Sequence, residues 1–465
     1  MEKDNNRGQW GSNFGFLMAA VGSAVGLGNL WGFPYKMGVG GGFAFLLLYL
    51  ILVVFVGYIM LNTELALGRK TGTGVVGAYR AISTKYTAIG WMGAIAPFLI
   101  LGFYSMLGGY CMKYAVSNLG DLFNASWGVN SADGGEFFGT FISNQAESSI
   151  YTVVFIALTI LIVLRGVSKG IEKFTKVAMP ALFVMLVIVI IRSVTLPGAI
   201  EGLEFMFKPD FSVFQGTGWI TVLASAGGQM FFTLSLAMGI MVAYGSYLPK
   251  TQDINKNAMI IPIADTVIAI MAGLAIMPAV ASAGMEFGAG PGLLFVTLQT
   301  VFNGLGIAGP IFGFIFYALV FIAAITSAIS LLEGIVSIPV DKKLKETGIN
   351  QRTKYTWILG ILVMIEGVLV SLDGLGTYFP PLFGKFIWLD GFDLVSEGIL
   401  MPLGAFLTAI VFGWIRKDVL VDEISLSSEF KSKKFYLFCL KYLAPVMMLL
   451  VLVGQINSFF GLGWF

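Results

Sequence analysis

Histidine is absent from this chain of 465 residues, and cysteine occurs only twice. Without histidine there is no Ser-His-Asp triad, no histidine-ligated zinc or haem, and no histidine proton relay. The two cysteines, Cys111 and Cys439, lie inside apolar runs. They therefore predict neither a disulfide framework nor a cysteine-based metal site. The net charge of +2 gives no indication of nucleic acid as a partner.

Charge of either sign is also scarce, at 12 % of residues, while apolar residues make up 57 % and the mean hydropathy is +0.86. Soluble chains average about 25 % charged residues, and a transmembrane helix needs about 20 apolar residues. The composition therefore predicts a multi-pass membrane protein. Its eleven candidate spans have the approximate limits 10–35, 41–63, 86–112, 149–164, 177–198, 211–248, 257–285, 307–332, 355–372, 388–414 and 435–455. The first is too long for a signal-peptide core, so we expect the N-terminus to be retained.

The distribution of basic residues predicts the orientation of these spans. If the N-terminus is cytoplasmic, 22 of the 28 Lys and Arg residues fall at cytoplasmic ends, as the positive-inside rule requires. Loop 118–148, which has four acidic residues and no basic one, is then external. The odd number of spans places the C-terminus outside. In the external loop 286–306, the apolar run 293–302 is too short to span and predicts a helix over an external vestibule.

Two spans carry glycine and polar residues at mid-membrane depth. Span 1 contains Gly22, Gly26 and Gly28 followed by Asn29, and span 6 contains Thr-Leu-Ser-Leu-Ala-Met-Gly at 233–239. One interpretation is close helix packing through small residues. The other is that both helices are broken, because irregular backbone is tolerated at this depth where it lines a polar cavity. Their positions, five spans apart, favour inverted repeats around a midplane site for a cation and a zwitterion.

Spans 7 and 8 add oxygen-bearing side chains. Thr326 and Ser327 in span 8 have hydroxyls that suit sodium, although such hydroxyls also bond back to their own helix. Asp265 is the only charged residue in span 7. A charge inside a span is a functional candidate by default. The alternative is a structural partner for a buried donor.

Three long stretches, Gly22–Pro34, Arg165–Lys173 and Gln229–Tyr247, identify a resemblance to a known family. From Arg7 to about residue 455 the chain resembles the neurotransmitter:sodium symporter family, particularly its bacterial amino-acid transporters with eleven transmembrane helices. The resemblance implies an all-α integral membrane protein of the leucine-transporter-type fold. That fold has two inverted five-helix repeats plus one additional helix here, and helices 1 and 6 are broken at mid-membrane. The expected organisation is a single transporter domain, 1–455, with repeats at about 10–198 and 211–414, helix 11 at about 435–455, and an external tail, 456–465.

The resemblance also implies, residue by residue, which groups bind substrate and sodium. The residues expected around the substrate are Ala24, Leu27, Gly28, Ile100, Tyr104, Phe232, Thr233, Ser235, Met238, Ser327 and Leu331. The first sodium site is expected at Ala24, Asn29, Thr233 and Asp265, completed by the substrate carboxylate. The second is expected at Gly22, Val25, Ala323, Thr326 and Ser327. Tyr104 and Phe232 would form an outer lid, whereas Met238 and Leu331 are equally well explained as plain core.

Two departures from the family pattern bear on the ligands. Family members that bind amines without a carboxylate have an aspartate where this chain has Gly26. The ligand must then bring its own carboxylate, which favours an amino acid. The usual residue at Asp265 is asparagine. Its extra negative charge would replace the bound chloride of chloride-dependent relatives, so we predict no chloride requirement. Proton counter-transport through Asp265 on the return step stays open.

The gates of the family are also recognisable. The outer gate pairs an arginine in helix 1 with an acid in helix 10. Here the acid is Asp393, but the arginine position is Gly32. Lys36 lies one helical turn further out and is expected to take over part of this role; the alternative is that it only reaches to the outer interface.

At the inner end the resemblance implies a gate formed by Arg7 and Asp341, covered by Trp10 and near Tyr247. Glu64 matches a family glutamate in helix 2. Glu366 and Glu397 lie in or beside apolar runs and receive no role from the sequence.

The sequence therefore predicts a secondary transporter of the cell membrane and not an enzyme. It would import L-amino acids, hydrophobic or aromatic ones, by alternating access with two sodium ions, and a monomer would suffice. Two alternatives remain at this point: an amino-acid-binding membrane sensor that does not cycle, and a sodium-permeable channel. The aromatic lid, Tyr104 and Phe232, argues against the channel.

Overall fold

The computed structural model describes residues 8–130, 132–287 and 292–464, and its regular elements in these ranges are helices. Nine of them are continuous, long and apolar enough to cross a membrane. Their bounds are Phe43–Thr71 (helix 2), Thr84–Asp121 (helix 3), Gln145–Leu164 (helix 4), Val167–Val194 (helix 5), Ile254–Ser282 (helix 7), Gly306–Thr347 (helix 8), Arg352–Leu372 (helix 9), Trp388–Ile415 (helix 10) and Lys433–Phe460 (helix 11).

The two remaining predicted spans are both interrupted, as the sequence predicts. Helix 1 consists of Asn13–Ala24 (helix 1a) and Gly28–Val39 (helix 1b), which meet at an angle of 45°. Helix 6 consists of Gly218–Thr233 (helix 6a) and Ile240–Gly245 (helix 6b). Each half is too short to cross a bilayer alone. In the described ranges, nine of the eleven predicted spans are continuous helices, the first is a bent pair, and the sixth consists of two short helices.

The break in helix 1 follows from its glycines and is held by a side chain. Val25 has extended backbone angles (φ −82°, ψ 100°), so helix 1a ends at Ala24. The side-chain oxygen of Asn29 accepts a hydrogen bond from the Gly26 amide at 3.1 Å. This bond satisfies one of the amides that the break leaves without an intrahelical partner.

The break in helix 6 is more irregular because three of its residues have left-handed backbone angles. Ser235, Ala237 and Gly239 have φ values of 53°, 59° and 67°. Only glycine adopts such angles without steric cost. Non-glycine residues at such angles persist where the surroundings fix them, which is typical of functional sites. Here Glu64 of helix 2 accepts a hydrogen bond from the Ala237 amide at 2.7 Å. The buried glutamate therefore supports the irregular segment.

Helix 3 packs along helix 8, and both helices flank the broken segments. The predicted short helix after helix 7 is confirmed as Leu293–Asn303. Helix 11 extends to Phe460 and so reaches into the segment expected as a tail. The other short helices of the connections are Val75–Ile82, Gly134–Ser143, Ala199–Phe207 and Val419–Ile424.

Candidate functional site

A small internal cavity lies where the breaks of helices 1 and 6 face helices 3 and 8. Its lining residues are Ser23, Ala24, Gly26, Gly28, Ile100, Tyr104, Phe232, Ser235, Met238, Ser327 and Leu331. All the residues expected around the substrate are among them except Leu27 and Thr233, which lie in the adjoining backbone. The cavity volume is about 20 Å³, room for about one water molecule. The side chains that line the cavity are therefore packed closely around this small space.

Backbone donors of helix 1b and the hydroxyl of Tyr104 form one wall of this cavity. The Leu27 amide donates to the Tyr104 hydroxyl at 3.1 Å. Because that oxygen is the acceptor, the hydroxyl proton is free to be donated to another group. The rings of Tyr104 and Phe232 lie 6.3 Å apart between centroids. The N-terminus of a helix favours a negative charge, so this wall suits a carboxylate.

Next to this wall is a cluster of three serines that the sequence predicts only in part, and a Cβ on Gly26 would touch the hydroxyls of both Ser327 and Tyr104. The hydroxyls of Ser23 and Ser235 are 2.9 Å apart. Ser235 and Ser327 both donate to the Ser23 carbonyl, at 3.1 Å and 3.0 Å. The sequence pattern does not single out Ser23, although this residue lies between Gly22 and Ala24 beside the break of helix 1. These bonds join the two breaks to helix 8.

Three of the four residues expected at the first sodium site, Asn29, Thr233 and Asp265, meet around the buried Asp265 carboxylate (the Asp265 cluster). Asn29 donates from its side-chain nitrogen to the Asp265 carboxylate at 2.7 Å. The hydroxyl of Tyr49 donates to the other carboxylate oxygen at 2.9 Å. Tyr49 also lies 3.3 Å from the Thr233 hydroxyl. Tyr49 was not predicted, because nothing in its own helix indicates that it faces helix 7.

The residues expected at the second sodium site meet where helix 8 passes the end of helix 1a (the Ser327 cluster). The Ser327 hydroxyl lies 3.4 Å from the Gly22 carbonyl and 3.5 Å from the Val25 carbonyl. The Thr326 hydroxyl donates to the Ala323 carbonyl at 2.9 Å. Every potential ligand in this cluster is a neutral oxygen. Carbonyl and hydroxyl oxygens are the donors that hard cations prefer, so the donor set fits sodium.

At the end of the bundle near helix 1b, a second cavity of about 370 Å³ lies above the Tyr104–Phe232 lid. Lys36 forms an ion pair there with Glu397 of helix 10, rather than with the expected partner Asp393, which lines the same cavity. Glu397 had no role from the sequence, and this ion pair supplies one. At the missing arginine position, a Cβ on Gly32 would lie 3.0 Å from the side-chain oxygen of Gln229.

At the other end, aromatic and charged side chains hold helix 1a. The Trp10 indole donates to the Tyr244 carbonyl at 3.0 Å, and its ring packs against Tyr244 and Tyr247. The Tyr247 hydroxyl donates to Glu333 at 2.7 Å, and Glu333 is also paired with Arg352.

The carboxylates expected at this inner end have different partners. Asp341 accepts from the Gly74 amide at 2.6 Å. Its expected partner, Arg7, lies outside the described residues. The sequence does not predict a further contact at this end, between helix 5 and the start of helix 1a. Glu172 of helix 5, which is 3 % exposed, accepts from the Gly11 amide at 2.6 Å and from the Ser12 hydroxyl at 3.0 Å. Helix 5 thus caps the start of helix 1a.

Glu366 of helix 9 remains without a functional explanation. Its carboxylate is buried, and within the described ranges neither oxygen has a hydrogen-bond partner. It packs against the backbone of Gly102, on helix 3 between Ile100 and Tyr104.

Comparison with known proteins finds a family, relatives and a solved structure that each match almost the whole chain. The family model described as the sodium:neurotransmitter symporter family matches residues 7–132 and 138–464. YhdH of Bacillus subtilis (strain 168), an uncharacterized sodium-dependent transporter, is 37 % identical over 97 % of this chain and 98 % of that protein. An uncharacterized sodium-dependent transporter of Haemophilus influenzae is 31 % identical over 97 % of this chain and 99 % of its own length. The solved structure of MhsT in complex with L-phenylalanine superposes with a TM-score of 0.85 at 35 % identity, covering 97 % of this chain and 100 % of that one.

Proposed function

The chain belongs to the sodium:neurotransmitter symporter family, and from that premise we propose that it imports an L-amino acid together with sodium. Its relatives are sodium-dependent transporters and not enzymes. The chain is accordingly a sodium-dependent symporter of the membrane with the leucine-transporter-type fold. The proposal adds the class of substrate, the number of ions and the role of chloride.

The observation that carries the amino-acid proposal is the surroundings of Gly26. A Cβ at this position would overlap the hydroxyls of Tyr104 and Ser327. The chain therefore has no room for an acidic side chain there, and an amine ligand would find no carboxylate from helix 1. The Leu27 amide instead holds the oxygen of the Tyr104 hydroxyl, which leaves the hydroxyl proton to be donated to the cavity. A ligand that carries its own carboxylate matches this wall.

The remaining lining favours a hydrophobic or aromatic side chain. Ile100, Met238 and Leu331 give apolar surface to the cavity, and Phe232 closes one side. The substrate amine would meet the carbonyls of Ala24, Phe232 and Thr233 at the two breaks. The solved complex of MhsT contains L-phenylalanine, which agrees with this class of ligand.

We assign one sodium ion to each cluster. In the Asp265 cluster the ligands would be the carbonyls of Ala24 and Thr233, with the side chains of Asn29, Thr233 and Asp265. The substrate carboxylate would complete this site and so link binding of the amino acid to that of the ion. In the Ser327 cluster the ligands would be the carbonyls of Gly22, Val25 and Ala323 with the hydroxyls of Thr326 and Ser327.

Chloride independence is proposed because the Asp265 cluster already contains a fixed negative charge. Asp265 is 0 % exposed, and its two carboxylate oxygens are bound by the neutral donors Asn29 and Tyr49. A buried carboxylate without a cation is costly. A sodium ion beside Asp265 would offset this cost, and no added anion is then needed to balance the ion.

Transport would proceed by alternating access, with the N-terminus in the cytoplasm and the C-terminus outside. The chain would work as a single transporter domain built from the two repeats, and a monomer would suffice. Lys36 with Glu397 and Asp393 would guard the outer end. Trp10, Tyr247 and Asp341, together with Arg7, would close the inner end.

The test is uptake of a panel of labelled L-amino acids into proteoliposomes with an inward sodium gradient, beside vesicles with potassium on both sides. Accumulation of a hydrophobic or aromatic amino acid that needs external sodium is the expected result. Sodium-dependent binding without accumulation would instead identify the amino-acid sensor, and currents through single open pores would identify the channel.

A matched pair of glycine variants checks that the central cavity is the site. Gly26→Ala should abolish uptake because its Cβ would overlap two cavity hydroxyls. Gly139→Ala should leave uptake unchanged, because a Cβ there meets nothing within 4 Å. Equal uptake by both variants would contradict the assignment of the site.

A further inference from the structure

A large groove that shares no lining residue with the central cavity lies at the end of the bundle where the basic loops 69–85 and 342–354 meet. Its volume is about 780 Å³. It is bounded by the short helix Val75–Ile82, the start of helix 3, the end of helix 8 and one side of helix 9. None of the sodium, substrate or gating roles proposed above uses this space, apart from Asp341 and Gly74 in its back wall.

The floor of the groove is an apolar stripe along helix 3. Trp91, Ile95 and Phe98 all line it, at the i, i+4 and i+7 spacing that places residues on one face of a helix. At about 1.5 Å per residue the stripe is about 10 Å long. Trp91 is 50 % exposed and Ile95 is 45 % exposed, so this surface is open at the outside of the helix bundle. Ile335 and Ile338 of helix 8 form the adjoining wall.

The rim of the groove carries an excess of positive charge, with three basic residues and two acids. Its charged residues are Arg80, Asp341, Lys342, Lys345 and Glu346. Both acids are already engaged, since Asp341 is buried against the Gly74 amide and Glu346 pairs with Lys343 at 2.8 Å and Lys342 at 3.9 Å. Arg80 and Lys345 are exposed, and within the described ranges neither has an ion-pair partner.

We propose that this groove binds an anionic glycerophospholipid. One acyl chain would lie along the apolar stripe of helix 3, and the phosphate would meet Arg80 and Lys345 at the rim. The two features match the two parts of such a lipid, because apolar surface attracts the chain and basic residues near a membrane surface attract anionic headgroups. Tryptophan at the headgroup boundary, as Trp91 would be, is typical of membrane proteins.

The test uses Trp91 as the reporter in the full chain reconstituted into phosphatidylcholine vesicles. A small fraction of the lipid is replaced by phosphatidylglycerol or phosphatidylcholine brominated in its acyl chains, which quenches nearby indoles. The fluorescence of Trp91 is obtained by subtracting the fluorescence of the Trp91→Phe chain from that of the native chain. We expect brominated phosphatidylglycerol to quench Trp91 at an at least fivefold lower mole fraction, about what one basic residue contributes.

Three variants and one competitor make the result decisive. Arg80→Ala with Lys345→Ala should remove the preference, and the charge-preserving pair Arg80→Lys with Lys345→Arg should keep it. Lys354→Ala, an exposed lysine at the same end that does not line the groove, should also keep it. Inorganic phosphate should not compete. Equal quenching by both lipids, equal loss in Lys354→Ala, or displacement by free phosphate would overturn the proposal.

Discussion

The two clusters assigned to sodium differ in charge and in what they connect. The Asp265 cluster contains a carboxylate and joins helices 1, 2, 6 and 7 around the wall where the substrate carboxylate would lie. The Ser327 cluster contains only neutral oxygens and joins the end of helix 1a to helix 8. The difference indicates a division of roles. One ion would be tied to the amino acid and to charge balance, and the other to the position of helix 1a.

The largest effect is expected from removing the charge that distinguishes the clusters. Asp265→Asn keeps the size of the side chain and removes the charged ligand that the protein itself supplies to sodium, so that the substrate carboxylate is the one charged ligand left. Losing an opposite charge at a desolvated site costs about 3–5 kcal/mol, so sodium-driven uptake in gluconate medium should fall by more than a hundredfold. The measurement is uptake in sodium gluconate beside sodium chloride. Partial recovery in chloride would agree with the charge argument, whereas unaltered uptake in gluconate would contradict it.

The second expected effect concerns the neutral cluster, at a residue that also lines the substrate cavity. Ser327→Ala removes a hydroxyl that lies near three helix 1 carbonyls. One hydrogen-bonding ligand contributes about 1–1.5 kcal/mol, so the sodium concentration for half-maximal uptake should rise about tenfold. The dependence on chloride should stay as in the native chain. A new chloride requirement in this variant would remove the distinction between the clusters.

A third, smaller effect tests whether the Ser327 cluster acts through helix 1a. Glu172→Gln weakens the cap at Gly11 and Ser12 but lies away from both clusters. Helix 1a should leave its closed position more often, and a cysteine placed at Ser23 should be labelled from the cytoplasmic side about threefold to tenfold faster. That range corresponds to about 1 kcal/mol. Saturating sodium should reduce the difference from the native chain. Labelling that is unaffected by the substitution or by sodium would argue against this link.

The smallest effect is expected outside both clusters. The Lys36–Glu397 ion pair lines the outer cavity of about 370 Å³, where 21 % of the lysine side chain and 8 % of the glutamate side chain is accessible. Such pairs contribute about 0–1 kcal/mol, so Lys36→Ala should change uptake less than about fivefold. The sodium and chloride dependence should not change. A collapse of uptake as large as that of Asp265→Asn would show that the outer ion pair matters as much as the Asp265 cluster and would contradict this order of effects.

The sequence predicted the expected sodium ligands better than it predicted the residues that contact them. Asp265, Thr326 and Ser327 stand out because polar groups are rare inside membrane spans, and the glycines of helix 1 predict its break. Tyr49 and Glu397 were not assigned roles, because their contacts depend on how two distant helices face each other. An aromatic residue in an apolar helix gives no period or motif that distinguishes a cluster member from plain core.

The contacts of Glu172 and Lys36 also depend on how two distant helices face each other, so the sequence does not predict their observed partners. Glu172 lies in a stretch that the sequence singled out, but its contact with helix 1a depends on where helix 5 begins relative to helix 1. For Lys36, the sequence predicts a partner in helix 10, Asp393. The observed partner is Glu397, which lies one turn further along the same helix. Four residues along a helix correspond to about 6 Å, a difference that only the packing of helices 1 and 10 decides.

The central claim is that each cluster carries one sodium ion for every amino acid transported. Its most direct test is the sodium-to-substrate ratio in proteoliposomes held at zero membrane potential. Opposing gradients of sodium and labelled amino acid are varied until net flux stops. The account predicts that a tenfold sodium gradient balances a hundredfold amino-acid gradient, the ratio of two ions to one substrate. Balance at a tenfold amino-acid gradient would mean that only one cluster carries sodium and would contradict the account.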